Sequence, residues 1–212
     1  MTGVAASRGR IDKRQAILDA AFAVFARQGY EGACVQRIAT EAGVAKPTVY
    51  NHLTDKENLF RHTVLAAADA VMADNLAVVD RMRAPGTDLR AALEDTAYRL
   101  LQVSGGERAR ALRRLTYAQV AGFPDLTETV QDRTGSRLTE ALADRLARLS
   151  LAGRLRPCDP SVAAEQLLAL LTAPMESRTK LGTRKVPVAE TRAVARSAVD
   201  TFLRAYGPEP DA

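Results

Sequence analysis

Five polar side chains lie close together in the stretch KPTVYNH. They supply an ammonium group, a hydroxyl, a phenol, a carboxamide and an imidazole, and they are Lys46, Thr48, Tyr50, Asn51 and His52. Such groups form hydrogen bonds that suit phosphate oxygens and the edges of nucleic-acid bases. They become available together only if Val49 and Leu53 face the protein interior, as they would on a short helix.

Enzyme chemistry finds little support in this sequence. The chain has two histidines, His52 and His62, and two cysteines, Cys34 and Cys158. Their spacing fits neither a metal site nor a nucleophile paired with a base, and no glycine-rich phosphate loop occurs. We therefore expect no enzyme activity, no metal and no cofactor, with both cysteines kept as thiols in a reducing compartment.

Composition and charge narrow the class of protein further. The 212 residues carry a net charge of +5, and the first 62 residues hold nine basic and six acidic side chains. A basic end of the chain favours a polyanionic partner. We find neither an apolar run of about 20 residues, which a membrane span needs, nor a secretion signal. These observations predict a cytoplasmic protein.

Apolar residues recur at helical spacing along nearly the whole chain, without strand-like alternation. The sequence therefore predicts an all-α protein. The first helix is expected to end at Gly29. A long helix is expected to begin at Thr54, which fits a capping box with Glu57. Either Thr87 or Asp88 would cap the helix after that.

Ala39, Gly43 and Val49 form a spaced set of a small residue, a glycine and an apolar residue. Two helices that pack at a steep angle through a short turn need this pattern, because Ala39 leaves room for the second helix. Gly43 can take the left-handed backbone that turns the chain. This is the spacing of a helix-turn-helix, whose second helix enters the major groove of DNA. An ordinary helix hairpin is the alternative, and the polar face described above favours the first interpretation.

The stretch AILDAAFAVFARQGYEGACVQRIATEAGVAKPTVYNHLTDKENLF carries a resemblance to the TetR/AcrR family of bacterial transcriptional regulators. The resemblance covers Arg14 to Phe60, where a G-x-x-K-x-T-x-Y core runs into a K-E-x-L-F helix start. Two later stretches, FPDL and DPSVAAEQLLALL, resemble the AefR-type C-terminal domain of some members.

The resemblance implies an N-terminal three-helix DNA-binding domain over residues 10–56. A long helix would join it to a helical ligand-binding and dimerisation domain over residues 57–207. Tyr50 and Lys56 would contact phosphates, and Thr48 a phosphate or a base. The remaining residues expected at the DNA are Gln36, Arg37, Lys46, Pro47, Asn51 and His52.

The sequence departs from the family pattern at the starts of two helices. The family often has threonine or serine where this chain has Ala33 and Cys34, and serine where it has Ala45. Loss of a capping side chain costs about 1 kcal/mol, and Pro47 should offset part of that cost. Cys34 is interpreted either as a small buried residue or as a reactive thiol whose oxidation would release DNA.

A symmetric operator needs a symmetric protein, so we expect a homodimer that binds DNA. The last two helices are the expected interface, through Leu167, Leu168, Leu171, Val194, Ala198 and Phe202. Closure of the monomer core is the alternative role for these residues. The middle helices would enclose a pocket for an apolar or aromatic effector, lined by Met72, Leu76, Met82, Tyr98, Leu101, Tyr117 and Phe123.

Two basic segments have plain interpretations. The arginine run from Arg108 to Arg114 is expected to be a solvated face, and the segment from Lys180 to Lys185 a loop. The predicted function is a ligand-responsive repressor in which the effector shifts the dimer away from its DNA-binding state. An activator of the same fold, or a small-molecule-binding protein that no longer uses DNA, remains the alternative.

Overall fold

A computed structural model of the chain describes residues 3–83, 88–180 and 183–208, with side chains from residue 13 onward except that of Arg83. Within these residues every regular element is a helix, which confirms the all-α class. The described α-helices are α1 (Gly3–Gly32), α2 (Val35–Glu41), α3 (Lys46–His52), α4 (Lys56–Asp80), α5 (Leu89–Ser104), α6 (Glu107–Ala118), α7 (Pro124–Gln131), α8 (Arg137–Leu151), α9 (Pro160–Thr179) and α10 (Val188–Tyr206).

The helices divide into two compact units. The first consists of the chain up to Ala68 together with Ala111–Val130, and the second consists of Asp69–Arg110 and the chain from Gln131 onward. The domain boundary predicted between residues 56 and 57 falls in the first turn of α4, whereas the compact units divide α4 after Ala68.

The first unit is built around α1, α2 and α3. Helix α1 packs on α2, and α2 packs on α3. Each helix contributes at least one side chain with no solvent exposure, including Ile17, Ile38 and Val49. These burials follow the spacing of apolar residues in the sequence, so the hydrophobic effect fixes which face of each short helix turns outward.

Four aromatic rings connect α7 to the rest of the first unit. The ring centroid of Phe60 lies 5.0 Å from that of Phe25 and 5.3 Å from that of Phe123, and Tyr30 lies 5.1 Å from Phe123. The Arg61 guanidinium lies 5.0 Å from the Phe123 centroid. It also donates a hydrogen bond of 2.6 Å to Asp125. This hydrogen bond lowers the pKa of the Asp125 carboxyl group.

One helix start differs from the sequence-based expectation and another agrees with it. The α4 cap is Asp55, because its carboxylate accepts from the amide of Asn58 at 2.7 Å. The predicted capping box of Thr54 and Glu57 is therefore wrong. Asp88 caps α5 as predicted, accepting from the amide of Ala91 at 3.0 Å, while the alternative, Thr87, lies outside the described residues.

The regular part of helix α1 ends at Gly29, as the sequence predicts. Gly29 has a φ of 71° and a non-helical ψ of 174°, and a further short helical segment follows to Gly32. The backbone change at Gly29 reorients the chain, and the packing of the Tyr30 ring against Phe25 and Phe60 holds the extra turn in place.

The second unit has its own core. Helix α10 packs on α5 and α9, and α8 packs on α9. Leu93, Leu142, Leu146 and Val199 are among its completely or almost completely buried residues. Among the described helices, α4 alone is long and apolar enough to cross a membrane by length and composition, and half of that segment is buried in the protein. A core helix of a water-soluble protein meets the same criterion.

Candidate nucleic-acid interface

The turn between α2 and α3 has the backbone that the sequence predicts. Ala39 is fully buried, and its carbonyl accepts a hydrogen bond from the Val44 amide at 3.0 Å. Gly43 has a φ of 66°, and a Cβ placed there would touch nothing within 4 Å. Glycine is therefore favoured by its left-handed backbone rather than by lack of space. This turn sets the direction in which α3 leaves α2.

Helix α3 has one buried side and one exposed side. Val49 is fully buried and Leu53, directly after the helix, is 1% exposed. On the other side Tyr50 is 39% exposed. Its ring lies 5.9 Å from Nζ of Lys46. The other residues of α3 expected at the DNA are exposed or half-buried: Lys46, Pro47, Thr48, Asn51 and His52.

The start of α3 is held without a capping side chain. Ala45 precedes the helix in an extended conformation, and Pro47 occupies its first turn. The free backbone amides at this end carry partial positive charge, and no acidic side chain stands in the first turn. The end therefore suits an anion such as a phosphate oxygen, although seven residues make a small dipole.

The remaining predicted DNA contacts lie on both sides of α3 in the chain. Gln36 and Arg37 are exposed on α2. Lys56, at the start of α4, already donates a hydrogen bond to the carbonyl of Glu31 at 3.0 Å, and its Nζ lies 4.8 Å from the Tyr30 ring centroid. An ammonium group has three donors, so these contacts position Lys56 and leave donors for a phosphate.

Cys34 precedes α2 and is exposed, so its interpretation as a small buried residue is wrong. The Cys34 side chain makes no capping hydrogen bond. The backbone amides of Gln36 and Arg37 favour the thiolate and lower the pKa of Cys34, and the positive charge of Lys46 adds to this effect. By contrast, burial raises the pKa of the Cys158 thiol.

The residues expected to line an effector pocket do not come together at one place. Met72, Met82 and Leu101 are buried, and Tyr117 is 49% exposed. Leu76 is half-buried. Phe123 belongs to the aromatic cluster of the first unit. Only Tyr98 and Leu101 line the same cavity in the second unit.

The residues expected at the dimer interface need a correction. Leu167, Leu171, Val194, Ala198 and Phe202 are buried in the core of the single chain, and Leu168 packs partly buried against it. Five of the six therefore close the monomer core. An apolar groove on the same two helices shares Phe202 with the predicted set, and its lining consists of Gln166, Ala169, Leu170, Ala173, Pro174, Thr201, Phe202, Ala205 and Tyr206.

No group of three or more metal-ligating side chains occurs in the part of the chain that the structure describes. The arrangement around α3 instead defines a helix-turn-helix protein. The family model of bacterial regulatory proteins of the tetR family matches residues 17–63. The model described as an AefR-like transcriptional repressor C-terminal domain matches residues 91–208, more than half of the chain. The chain therefore belongs to the TetR family of bacterial transcriptional regulators.

Several relatives are named as repressors. The HTH-type transcriptional repressor AcnR of Corynebacterium diphtheriae is 42% identical over 76 residues, which cover 34% of this chain and 38% of that protein. This match thus spans little more than a third of that relative. AcnR of Corynebacterium efficiens is 31% identical over 151 residues, covering 69% of this chain and 70% of the relative.

Solved structures match over nearly the full length. A TetR-family transcriptional regulator from Mesorhizobium loti is 33% identical with a TM-score of 0.86, covering 93% of this chain and 98% of that one. The flavonoid-responsive regulator FrrA is 25% identical with a TM-score of 0.69, covering 94% of this chain and 99% of that one.

Proposed function

We propose that this protein is a transcriptional repressor that binds a pseudo-palindromic operator as a homodimer and releases it when a small molecule binds. The observation that carries the proposal is the division of α3 into two sides. Val49 and Leu53 are buried while Tyr50 is exposed. A helix anchored in this way presents its polar side at a fixed angle, which reading of the major groove requires.

The contacts divide into two classes. Tyr50 and Lys56 bind phosphate oxygens, and Thr48 binds a phosphate or a base, so these residues position the protein on the duplex. Asn51 can form a bidentate pair with adenine in the major groove. The other residues proposed at the groove or beside it are Gln36, Arg37, Lys46, Pro47 and His52.

A second copy of the chain is the proposed occupant of the apolar groove on α9 and α10. Leu170, Ala173 and Pro174 give it an apolar lining, against which helices from a second chain can pack in a four-helix arrangement. In such a dimer the two α3 helices would have to lie about 34–36 Å apart to meet successive major grooves.

The proposed effector binds to the part of the chain after residue 56, and residues 10–56 bind DNA. Helix α4 contributes to both compact units, so it is the proposed element through which the two parts are coupled. An effector that prefers a differently spaced dimer lowers operator affinity by shifting the population. The solved relative FrrA is described as flavonoid-responsive, which supports effector control in this fold. The proposed site of action is the cytoplasm.

The DNA-binding step can be tested with fluorescence anisotropy on the DNA upstream of the protein's own gene. Tyr50→Phe should weaken binding to all sequences, because the phenol hydroxyl that bonds phosphate is lost. Lys46→Ala should weaken binding and reduce the slope of log affinity against log salt by about one. Asn51→Ala should reduce the discrimination between the preferred base and other bases at one operator position by about 1–3 kcal/mol.

Arg196→Ala is the matched control, because Arg196 is an exposed arginine on α10 and its loss removes the same charge as Lys46→Ala. Equal effects of these two variants would indicate general charge attraction and contradict a role for α3. Failure of the wild type to bind duplex DNA would instead favour the small-molecule-binding alternative. A reporter under the same upstream DNA separates a repressor from an activator by the sign of its response.

A further inference from the structure

A cavity in the second unit lies among the end of α5, the start of α6, the end of α9 and the segment leading into α10. Its volume is about 200 Å³. The apolar part of its lining consists of Tyr98, Leu101, Met175, Val186 and Val188. Drug-sized sites measure about 300–1,000 Å³, so this cavity suits a smaller molecule.

The charged part of the lining is entirely basic. Arg110, Arg184 and Lys185 line the cavity, and none of the described residues that line it is an aspartate or a glutamate. Glu190 lies nearby and approaches Arg184 at 3.4 Å. One carboxylate does not balance three cations. The Arg192 guanidinium lies 4.1 Å from the centroid of Tyr98, and adds further positive charge beside the cavity.

Arg110 carries the strongest indication of a missing partner. Its Nε atom is buried without a hydrogen-bond acceptor. Arg145 also has a buried Nε without a partner, but its charge is compensated by Asp80 at 2.8 Å. No ion pair compensates Arg110 within the described residues. A buried guanidinium donor without an acceptor is costly, so a bound acceptor would be stabilised there.

We propose that this cavity binds a small organic monocarboxylate with an apolar body. Its carboxylate accepts hydrogen bonds from Arg110, with Arg184 and Lys185 adding attraction, and its body packs against Leu101 and Met175. Guanidinium and carboxylate groups match in geometry, which makes the pair stronger than a neutral hydrogen bond. The inference rests on the proposed function, because the carboxylate is then the effector.

Isothermal titration calorimetry on the full chain tests the ligand class with benzoate and hexanoate as probes. Benzamide and hexanamide are uncharged controls with the same apolar bodies. Inorganic phosphate is the control for non-specific attraction of an anion. We expect at least one carboxylate to bind and both amides and phosphate to bind more weakly by roughly tenfold or more, given the strength of charge-assisted pairs. Equal binding of acids and amides, binding of phosphate alone, or binding of no probe would overturn the proposal.

Arg110→Gln should weaken carboxylate binding by roughly tenfold, and the double variant R184Q/K185Q should weaken it to a lesser degree. Arg108→Gln is the control, because Arg108 is exposed on the same helix and does not line the cavity. Circular dichroism establishes that each variant folds. Wild-type affinity in both the Arg110→Gln protein and the double variant would contradict the assignment.

Operator binding, measured separately, distinguishes this site from the proposed function. Arg110→Gln should bind operator DNA like the wild type in the absence of carboxylate and should respond less when the carboxylate is added. Carboxylate binding that leaves operator affinity unchanged would keep the site and refute its role as the effector site. A wild-type protein that binds operator DNA but binds no carboxylate would refute the site and leave the proposed DNA-binding function standing.

Discussion

Arg14 on α1 contacts His62 on α4, and this contact indicates the protonation state of His62. Nη2 of Arg14 lies 3.1 Å from Nδ1 of His62. A guanidinium has no acceptor and stays charged, so the contact requires an unprotonated Nδ1. Burial, followed by the positive charge of Arg14, lowers the pKa of His62. The folded first unit therefore contains His62 in its neutral form.

This contact predicts a loss of stability in mild acid. In the unfolded chain His62 titrates near its ordinary pKa of about 6.5, and in the folded chain it titrates lower. Neutral His62 therefore contributes fully to the free energy of unfolding above its unfolded-state pKa. This contribution is lost as the pH falls through its lower folded-state pKa. The free energy of unfolding, measured with urea, should decrease less between pH 7.5 and pH 5.5 for His62→Gln than for the wild type. His52→Gln, on the exposed helix α3, should follow the wild type, and parallel behaviour of all three would contradict the prediction.

The two cysteines should differ in reactivity. Cys34 is exposed and has a lowered pKa, whereas Cys158 is half-buried and has a raised pKa. Because the thiolate is the nucleophile, iodoacetamide at pH 7 should modify the Cys158→Ala protein faster than the Cys34→Ala protein. Mass spectrometry of each single-cysteine variant measures the rates.

Unchanged operator affinity after peroxide treatment of the wild type would contradict the hypothesis that Cys34 oxidation releases DNA.

At the scale of elements, the turn before α3 depends on a single glycine. Gly43→Ala keeps the local space free but places a Cβ on a left-handed backbone with φ 66°. The expected cost is about 1–2 kcal/mol of unfolding free energy. Gly32→Ala, with its new Cβ in ordinary contact 3.7 Å from that of Gln28, should be nearly neutral. Thermal and urea unfolding compare the two variants, and equal losses would mean that the backbone conformation at Gly43 is not the cause.

The same turn marks what the sequence was able to predict. Ala39, Gly43 and Val49 are close in the chain, so their spacing alone gives the α2–α3 turn and the buried side of α3. The predicted α4 cap is wrong because Thr54 and Asp55 are both good capping residues. Capping propensity alone does not favour one of these two residues over the other. Helix α4 begins at Lys56, so Asp55, which directly precedes it, is the cap.

Contacts between distant residues set the limit of the sequence-based prediction. Apolar periodicity in α9 and α10 identified Leu167 and Phe202, but periodicity does not state whether such residues face their own core or a partner. The sequence predicts a solvated face for Arg110 together with Arg108, Arg113 and Arg114. Its cavity is formed by α9 and the segment before α10, some 65 to 80 residues further along the chain.

At the scale of the whole molecule, the groove on α9 and α10 leaves apolar surface uncovered in a single chain. Ala169 and Ala173 are exposed on α9, one helical turn apart, and Ala205 is exposed on α10. Phe202 forms part of the lining although it is only 1% exposed. An uncovered apolar groove above a packed core is suited to burial against an identical surface under two-fold symmetry.

The groove therefore predicts a single-residue switch between dimer and monomer. Ala173→Asp would bury two like charges in a two-fold interface, each without a partner, and should shift the chain to a monomer in analytical ultracentrifugation. Operator affinity should fall by roughly 100-fold or more, because the two α3 helices would no longer bind as one linked pair. Leu151→Asp is the control, since Leu151 is 89% exposed at the end of α8 and lies outside the groove. A dimeric Ala173→Asp protein that binds DNA like the wild type would place the interface elsewhere on the chain, because a carboxylate pair at a buried two-fold contact cannot leave the association free energy unchanged.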